Sequence, residues 1–486
     1  MPEVVQQPTN PNEVKPQETA KTAETAPQVE TSEEQPPERL SEEAEKEIQD
    51  QIESVDDIRI VLSIIRQNLS DEGFLPLVAK AMTEKYGNGA PSLETLTEVS
   101  GLMQQLESSI SESDLQKLAE MENNPEFAGA QEKKNLFING LCLPVLKGHL
   151  TAEDVASMVN RIALMDSQTD SAGIRASSGY EGVMLYDQEN NAVIINPAVF
   201  AKQYRDERGR FMSLDLEHMA THELSHGVTG RTVFANESWQ NLEQEMTGYN
   251  PEFSSEMIKQ VRMIIDSAEE MKDSQSIHIR NLLEAIDNID EDYNKLTPEQ
   301  KKRFGTPEQY HNRRLAQAAV EIVTEYTALY LESDGSLKDF IRNCLIKTGN
   351  KGLEKFISSQ LDIKTENEEE RPTLVRQKVK SLLSDLQNGS LTISQISEQY
   401  PGLKRFFECY KVFYDNIGPA IKESKGSLAE AGDDEFDLEG YDGYFDSAGG
   451  FEQADKSEKS GDTTSGAMAL LGAFADEVNI TRPITG

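Results

Sequence analysis

Cysteine is scarce in this 486-residue chain, where Cys142, Cys344 and Cys409 stand far apart and are odd in number. Their spacing fits neither a disulfide framework nor a Cys-x-x-Cys metal site. Cysteines in apolar runs such as Leu141–Leu143 behave as small buried hydrophobic residues. Low cysteine use is typical of a reducing compartment, and also of secreted proteins that fold without disulfides.

Long apolar segments are also missing. No run approaches the roughly 18 apolar residues of a membrane-spanning helix. The first residues, MPEVVQQP, have neither the basic region nor the apolar core of a secretory signal. We therefore expect a cytoplasmic protein with no membrane span, while export by a route without a cleaved signal stays open.

Basic residues are outnumbered, because 47 Lys and Arg face 86 Asp and Glu and leave a formal net charge of −39. A chain of this charge is repelled by phosphate backbones and by anionic lipid surfaces. These repulsions exclude a general nucleic-acid binder and a basic membrane-surface protein as function classes.

Composition divides the chain into five segments. Residues 1–40 contain seven Pro, eight Glu and no aromatic residue, which predicts a disordered tail. Residues 426–486 predict a second disordered tail, whose acidic and aromatic residues could bind a protein partner. Between the tails we predict an N-terminal helical region at 41–170, a central domain at 171–350 and a C-terminal helical region at 351–425.

Helical periodicity dominates the part of the chain that is expected to fold. Apolar residues recur at i, i+3, i+4 and i+7, with helices predicted at 152–165 and 312–332 among others. Two apolar runs, Gly182–Tyr186 and Ala192–Asn196, are separated by a polar turn and predict a β-hairpin. The sequence therefore predicts an α+β fold that is predominantly α-helical, with one small sheet.

One motif carries chemistry, the sequence His-Glu-Leu-Ser-His at 222–226, in a helix predicted to begin at Ser213. Residues four apart on a helix lie one turn apart, about 40° around the axis. The imidazoles of His222 and His226 can therefore bind one tetrahedral ion. Glu223 points about 100° away from His222, where it can accept a proton from an activated water without binding the ion.

The motif, its uncharged surroundings and the hairpin upstream resemble the zincin superfamily of metallopeptidases over roughly residues 175–335. The resemblance implies a zincin-like catalytic core in which the motif helix lies under a small sheet. It also implies a zinc cofactor and hydrolysis of peptide or protein substrates. In that fold an edge strand holds the extended substrate by main-chain pairing, and residues 192–196 are the candidate strand.

The third zinc ligand decides the subclass. Thr229 and Thr232 stand where metzincins need Gly and then His or Asp, which excludes that group, and what remains resembles the gluzincins. The gluzincin resemblance implies a Glu ligand on a downstream helix, followed four positions later by an acidic residue that hydrogen-bonds a ligand histidine. Glu321 and Glu325 fit these two roles. The rival ligands are Glu243, Glu245, Glu269 and Glu270.

The other histidines and the nearby tyrosines have less specific roles. His218 continues the stripe of His222 and His226 but lies about 12 Å along the helix from His226, so we expect it outside the ligand set. It is predicted either to support a ligand or to face solvent. His149 and His278 are predicted to be ordinary structural residues. A donor to the oxyanion of the reaction is expected among Tyr310, His311 and Tyr326.

The sequence thus predicts a zinc metalloendopeptidase with His222, His226 and Glu321 as ligands and Glu223 as general base. Two alternatives stay open. One is a non-catalytic helical scaffold or adaptor with a structural or vestigial metal site, and the other is a zinc hydrolase of a non-peptide amide or ester. A fourth protein ligand would favour the scaffold, because catalytic zinc keeps one position open. A cleft beside strand 192–196 would favour the peptidase.

Overall fold

The computed structural model describes residues 42–54, 57–69, 73–165, 184–187, 190–202, 204–205, 211–233, 255–269, 276–347, 392–399, 401–428 and 482–483, with scattered residues between 373 and 390. The predicted tail at 1–40 lies outside these residues. So do three of the rival ligands, Glu243, Glu245 and Glu270. The predicted boundaries at 170 and 350 stay predictions.

Helices dominate the described chain, as the periodicity predicts. They are α1 Glu42–Ser54, α2 Ile60–Gln67, α3 Phe74–Tyr86, α4 Leu93–Ser108, α5 Glu112–Glu122, α6 Ala130–Leu146, α7 Ala152–Met158, α8 Leu216–Arg231, α9 Ser255–Glu269, α10 Ile277–Ile286, α11 Ile289–Lys295, α12 Pro298–Phe304, α13 Pro307–Leu331, α14 Leu337–Lys347, α15 Ile393–Gln399 and α16 Pro401–Ser424. Within the described residues, none of these helices is long and apolar enough to cross a bilayer.

Helix α13 corresponds to the helix predicted at 312–332, but it begins five residues earlier, at Pro307. Thr306 and Gln309 form a reciprocal capping box at its start, and Pro307 occupies the first helical position. Both features favour helix initiation, because they satisfy or remove backbone N–H groups that have no partner in the first turn. The extra turns make α13 the longest described helix, and it carries Glu321 and Glu325 in its middle.

The strands form two small sheets. They are β1 Arg161–Leu164, β2 Met184–Asp187, β3 Ala192–Ile195, β4 Tyr204–Arg205, β5 Phe211–Ser213 and β6 Arg482–Pro483. The first sheet has the order β1–β3–β2 and the second β4–β5–β6. The predicted hairpin is confirmed, since β2 and β3 are antiparallel with Met184 opposite Ile195.

Strand β1 corrects two of the predictions. The helix predicted at 152–165 ends at Met158, and Arg161–Leu164 then pair in parallel with β3. Ile162 is buried against the core, so tertiary packing overrides the helical pattern of this segment. Strand β3 therefore lies between β1 and β2, and the prediction that residues 192–196 form an edge strand is wrong. Strands β1 and β2 are the two outer strands of the described sheet.

The motif helix also begins later than predicted. Ser213 belongs to β5, and α8 starts at Leu216 with Asp215 as its N-cap, whose carboxylate accepts a hydrogen bond from the His218 N–H. Asp215 caps the helix because its carboxylate accepts a hydrogen bond from a first-turn N–H that has no partner within the helix. Ser213 lies two residues before this cap. The shift does not move the motif residues out of the helix.

Two parts of the segment predicted as a disordered acidic tail, residues 426–428 and 482–483, are among the described residues. Leu428 is buried, its N–H donates to Asp154, and its carbonyl accepts from Arg231. Further on, Arg482–Pro483 pair with Met212 and Ser213. Residues 429–481 and 484–486 lie outside the described part of the chain, and the tail at 426–486 stays a prediction.

Helix α8 is enclosed by its neighbours. It packs against α6, α7, α13 and β2, and most of its residues are buried. Its buried hydroxyl groups return to the carbonyls of their own helix: Ser225 donates to Thr221, and Thr229 to Ser225. Thr221 in addition donates to the Gly140 carbonyl of α6. The polar residues of the motif helix are thereby satisfied without solvent.

We expect Gly140→Ala to destabilise the protein by about 1–3 kcal/mol, because an added methyl group overfills this contact. A Cβ at Gly140 would lie 2.1 Å from the Glu217 carbonyl oxygen and 2.8 Å from the Ala220 Cβ. Gly101 on α4 is the matched control, since nothing lies within 4 Å of its added Cβ. Gly101→Ala should stabilise by about 0.5–1 kcal/mol. Urea unfolding measures both, and equal effects would contradict the close α6–α8 contact.

Candidate metal centre

Two buried helices supply the predicted site residues. Helix α8 carries His222, Glu223 and His226, and α13 carries Glu321 and Glu325. The side chains of Glu321 and Glu325 are only 2% and 1% exposed. Burying two carboxylates is costly unless each has charged or hydrogen-bonding partners. Their partners therefore define the site.

The carboxylate of Glu321 faces both histidines of the motif. Its Oε2 lies 3.3 Å from His222 Nε2, and its Oε1 lies 3.7 Å from His226 Nε2. The two imidazole rings meet edge to face with centroids 5.1 Å apart. The structure thus brings Glu321, from a distant part of the chain, next to both histidines of the motif, but His226 lies outside the group of donors that are all within 4.8 Å of one another.

His278, predicted to be structural, belongs to the same cluster. It lies in the first turn of α10, which Ser276 caps by accepting a hydrogen bond from the Ile279 N–H. Its Nε2 is 3.5 Å from Glu321 Oε2, and its ring centroid is 5.0 Å from that of His222. Ligand atoms of His222, His278 and Glu321 all lie within 4.8 Å of one another, so this buried group can hold a metal ion.

A chain of hydrogen bonds supports His222 from the side away from Glu321. Glu325 Oε2 lies 3.1 Å from His222 Nδ1, and Glu325 Oε1 lies 3.3 Å from His218 Nε2. His218 Nδ1 in turn lies 2.6 Å from Glu332, and Lys347 approaches that carboxylate at 3.9 Å. His218 is buried and its surface alternative is excluded. This chain fixes which ring nitrogen of His222 points at Glu321.

Glu223 is buried next to the cluster and has a main-chain partner. Its carboxylate accepts a hydrogen bond from the Tyr186 N–H of β2. Burial raises the pKa of Glu223 to about 7, against the opposing charge of His222. The close approach of β2 depends on Gly227, because a Cβ there would lie 2.7 Å from the Tyr186 hydroxyl oxygen. Glu223 is thereby held where the sheet edge meets the motif helix.

The three expected oxyanion donors have other neighbours. The Tyr326 ring stacks on Phe413 with centroids 3.9 Å apart. The Tyr310 ring packs at 5.5 Å from Tyr293. His311 lies 3.6 Å from Asp290, at the surface.

His278, which lies near Glu321, was not predicted as part of the site, because a single histidine in an apolar helix has no local motif. The apolar face formed by Ile279, Leu282 and Leu283 could have marked it as buried.

A cavity of about 1410 Å³ reaches the cluster from the side of α10 and α13. Its lining includes His278, Glu325, His218 and Glu332, and continues outward to Lys347. Among the described residues, Glu223 and His226 are not part of this lining. The cavity therefore reaches the cluster from a side other than that of Glu223 and His226.

We expect the metal-free protein to lose stability as the pH rises from about 6.5 to about 9. Burial and Lys347 lower the pKa of His218, but Glu332 and Glu325 outweigh them and raise it from 6.5 to about 9. The protonated ring therefore stabilises the fold fully below pH 6.5, and this contribution is lost as the pH passes about 9. His222 acts in the same direction, because its hydrogen bonds to Glu321 and Glu325 outweigh burial and raise its pKa to about 10.

Urea unfolding of chelator-treated protein across this pH range measures the slope. His218→Gln should reduce the slope, and His311→Gln should leave it unchanged. A slope that survives intact in His218→Gln would contradict a charged His218 between the two carboxylates.

We expect Glu325→Gln to weaken metal binding by about 10–100-fold, the usual effect of losing the carboxylate behind a ligand histidine. The charge of Glu325 raises the basicity of His222 through the 3.1 Å contact to Nδ1. Competition with a chromophoric chelator measures the affinity. Glu332→Gln is the control, because Glu332 contacts His218 and not His222 in the described chain. An equal loss in both variants would contradict a specific role for Glu325.

The donor set of the cluster suits zinc and similar divalent ions. Imidazole nitrogens and carboxylate oxygens bind zinc in tetrahedral sites. Glu223 lies beside the donors without being needed among them, so the arrangement can hold an ion and keep a base next to it. Comparisons of the chain with family models, with characterised proteins and with solved structures find no significant match.

Proposed function

We propose that this chain is a zinc-dependent hydrolase of peptide bonds, with a site similar to that of the gluzincins. The observation that carries the proposal is the carboxylate of Glu321, which faces His222 and His226 at 3.3 and 3.7 Å while Glu223 is buried beside them. If the His-Glu-x-x-His sequence were a coincidence on an exposed helix, its histidines would not be expected to contact a buried carboxylate of a second helix.

The chain's own residues have distinct roles in this proposal. His222, His226 and Glu321 hold the ion, and Glu325 keeps the ring of His222 in the orientation that binds. A zinc ion in such a site supplies an activated water and polarises the substrate carbonyl. Glu223 takes a proton from the attacking water and passes it to the leaving amine nitrogen.

In this proposal strand β2, and not residues 192–196, holds the extended substrate. It is an edge strand of the described sheet and lies against α8. Its Tyr186 N–H reaches the Glu223 carboxylate, so an extended peptide along this edge would pass beside the general base. Main-chain pairing of that kind selects an extended peptide and not a compact small molecule.

A peptide library tests the proposal. Full-length protein supplied with zinc is incubated with the library, and new termini are identified by mass spectrometry. Cleavage should stop with ortho-phenanthroline, continue with the non-chelating meta isomer, and return when zinc is restored. Absence of any new terminus from zinc-loaded wild type and also from a zinc-loaded variant in which His278 is replaced, or cleavage that resists chelation, would overturn the proposal.

A structural metal centre in a non-catalytic scaffold is the second candidate. It is favoured by His278, because a fourth protein donor near Glu321 can fill the position that a catalytic ion keeps open. This candidate predicts a tightly bound ion whose removal unfolds the surrounding helices, and no cleavage by any chain loaded with zinc, including one in which His278 is replaced.

A further inference from the structure

His278 has buried ring nitrogens that the described protein groups do not satisfy. Its side chain is 0% exposed, and neither Nδ1 nor Nε2 makes a hydrogen bond to the described chain. A buried polar atom without a hydrogen-bond partner has a free-energy cost, because its hydrogen bonds to water are lost and not replaced. A metal ion bound to one of these nitrogens removes that cost.

The distances around Glu321 match the spacing of ligands on one ion. His222 Nε2 and His278 Nε2 lie 3.3 and 3.5 Å from the same oxygen of Glu321. Two ligand atoms of a tetrahedral zinc ion, with bonds of about 2.0–2.1 Å, stand about 3.3–3.4 Å apart. His278 and Glu321 meet at the outer limit of a hydrogen bond, and the same separation is the one that two ligands of a shared ion would have.

His226 faces the other oxygen of the same carboxylate. Its Nε2 is 3.7 Å from Glu321 Oε1, which is within about 0.5 Å of the tetrahedral spacing. Three imidazoles therefore face one carboxylate, which makes four protein donors in all, although His226 lies outside the group whose ligand atoms are all within 4.8 Å of one another. A catalytic zinc site uses three protein ligands and leaves the fourth position open.

We propose that His278 is a fourth protein ligand of the ion held by His222, His226 and Glu321, so that the resting centre is closed to substrate. This inference rests on the metal binding in the proposed function and adds its regulation. Hydrolysis then requires the His278 ring to leave, and the protein is latent until it does.

The cavity beside α10 provides space for the displaced ring. His278 borders this cavity of about 1410 Å³ together with Ser276, the N-cap of the helix. A rotation of the side chain into the cavity leaves the capped start of α10 in place. Glu223 is not part of the cavity lining, so this movement leaves it in place beside β2.

Cobalt(II) in place of zinc tests the proposal without any assay of activity. X-ray absorption of the wild-type protein loaded with cobalt(II) counts the imidazole ligands, and acetohydroxamate probes the open position through its effect on the visible spectrum. We expect three imidazoles in wild type and two in His278→Ala, each with about one ion per chain. If about 90% of wild-type chains are closed, His278→Ala should bind acetohydroxamate about tenfold more tightly.

His311→Ala is the matched control, a histidine near the start of α13 that contacts Asp290 instead of the cluster. It should keep three imidazoles and the wild-type response to acetohydroxamate. His278→Gln, which fills the space of the ring, replaces His278→Ala if circular dichroism shows that the alanine variant does not fold.

The outcomes separate this inference from the proposed function. Two imidazoles in wild type, or equal acetohydroxamate affinity in wild type and His278→Ala, would overturn the fourth ligand and leave the hydrolase proposal standing. A folded wild type that takes up no cobalt(II) and no zinc would overturn both.

Discussion

Glu223→Gln should abolish peptide cleavage and leave the metal content unchanged. The loss of a general base lowers the rate by about 10²–10⁴-fold. The substituted side chain has nearly the same volume, and its amide can still meet the Tyr186 N–H through its oxygen. What disappears is the ability to accept a proton. Elemental analysis and the rate of cleavage of one identified library peptide measure the two effects on the same sample.

Glu217→Gln is the matched control for this variant. Glu217 lies in the first turn of the same helix and pairs with Arg59 at 3.4 Å, away from the cluster. It should retain both metal and activity. Full activity in Glu223→Gln, with the metal in place, would remove the proposed mechanism.

Glu321→Ala should reduce the metal content from about one ion per chain to almost none. Glu321 is the carboxylate on which His222, His226 and His278 converge, so its removal takes away the negative charge of the site and one ligand together. Breaking a buried ion pair from one side also costs about 3–5 kcal/mol. We therefore expect the free energy of unfolding to fall as well.

Glu321→Gln separates ligand loss from unfolding, because it keeps the volume of the side chain and removes its charge. Glu308→Ala, at an exposed position in the first turn of α13, is the surface control and should keep the metal. Circular dichroism at the temperature of the metal measurement shows whether each variant is folded. Unchanged metal content in a folded Glu321→Ala would move the third-ligand role to the 243–270 region or to His278.

The helical motif and its partner could be predicted because both depend on local spacing. His222 and His226 are one turn apart, and so are Glu321 and Glu325, so each pair shares a helix face whatever the rest of the fold does. Two carboxylates in an otherwise apolar helix need buried partners, and Glu321 and Glu325 both contact histidines of α8. Glu321 has a further partner in His278 of α10. The hairpin could be predicted for the same reason, because its two strands are neighbours in the sequence and a short polar turn joins them.

His278 could not be predicted in the same way. It stands alone between apolar residues of α10, and only the packing of α10 against α13 brings its ring within 5.0 Å of His222. Strand β1 is a similar case. Its pairing with β3 joins residues some thirty positions apart in parallel, and Arg161–Leu164 has little of the β-branched content that marks a strand. Because β1 could not be predicted, the sequence could not show that residues 192–195 form the central strand of the sheet.

The central claim is that α8 and α13 together hold one metal ion. Titration of zinc into metal-free wild type and His222→Ala, followed by elemental analysis after dialysis, tests it most directly. The account predicts about one zinc ion per wild-type chain and almost none in a folded His222→Ala. A folded wild type that retains no zinc, or a His222→Ala variant that retains as much as wild type, would contradict it.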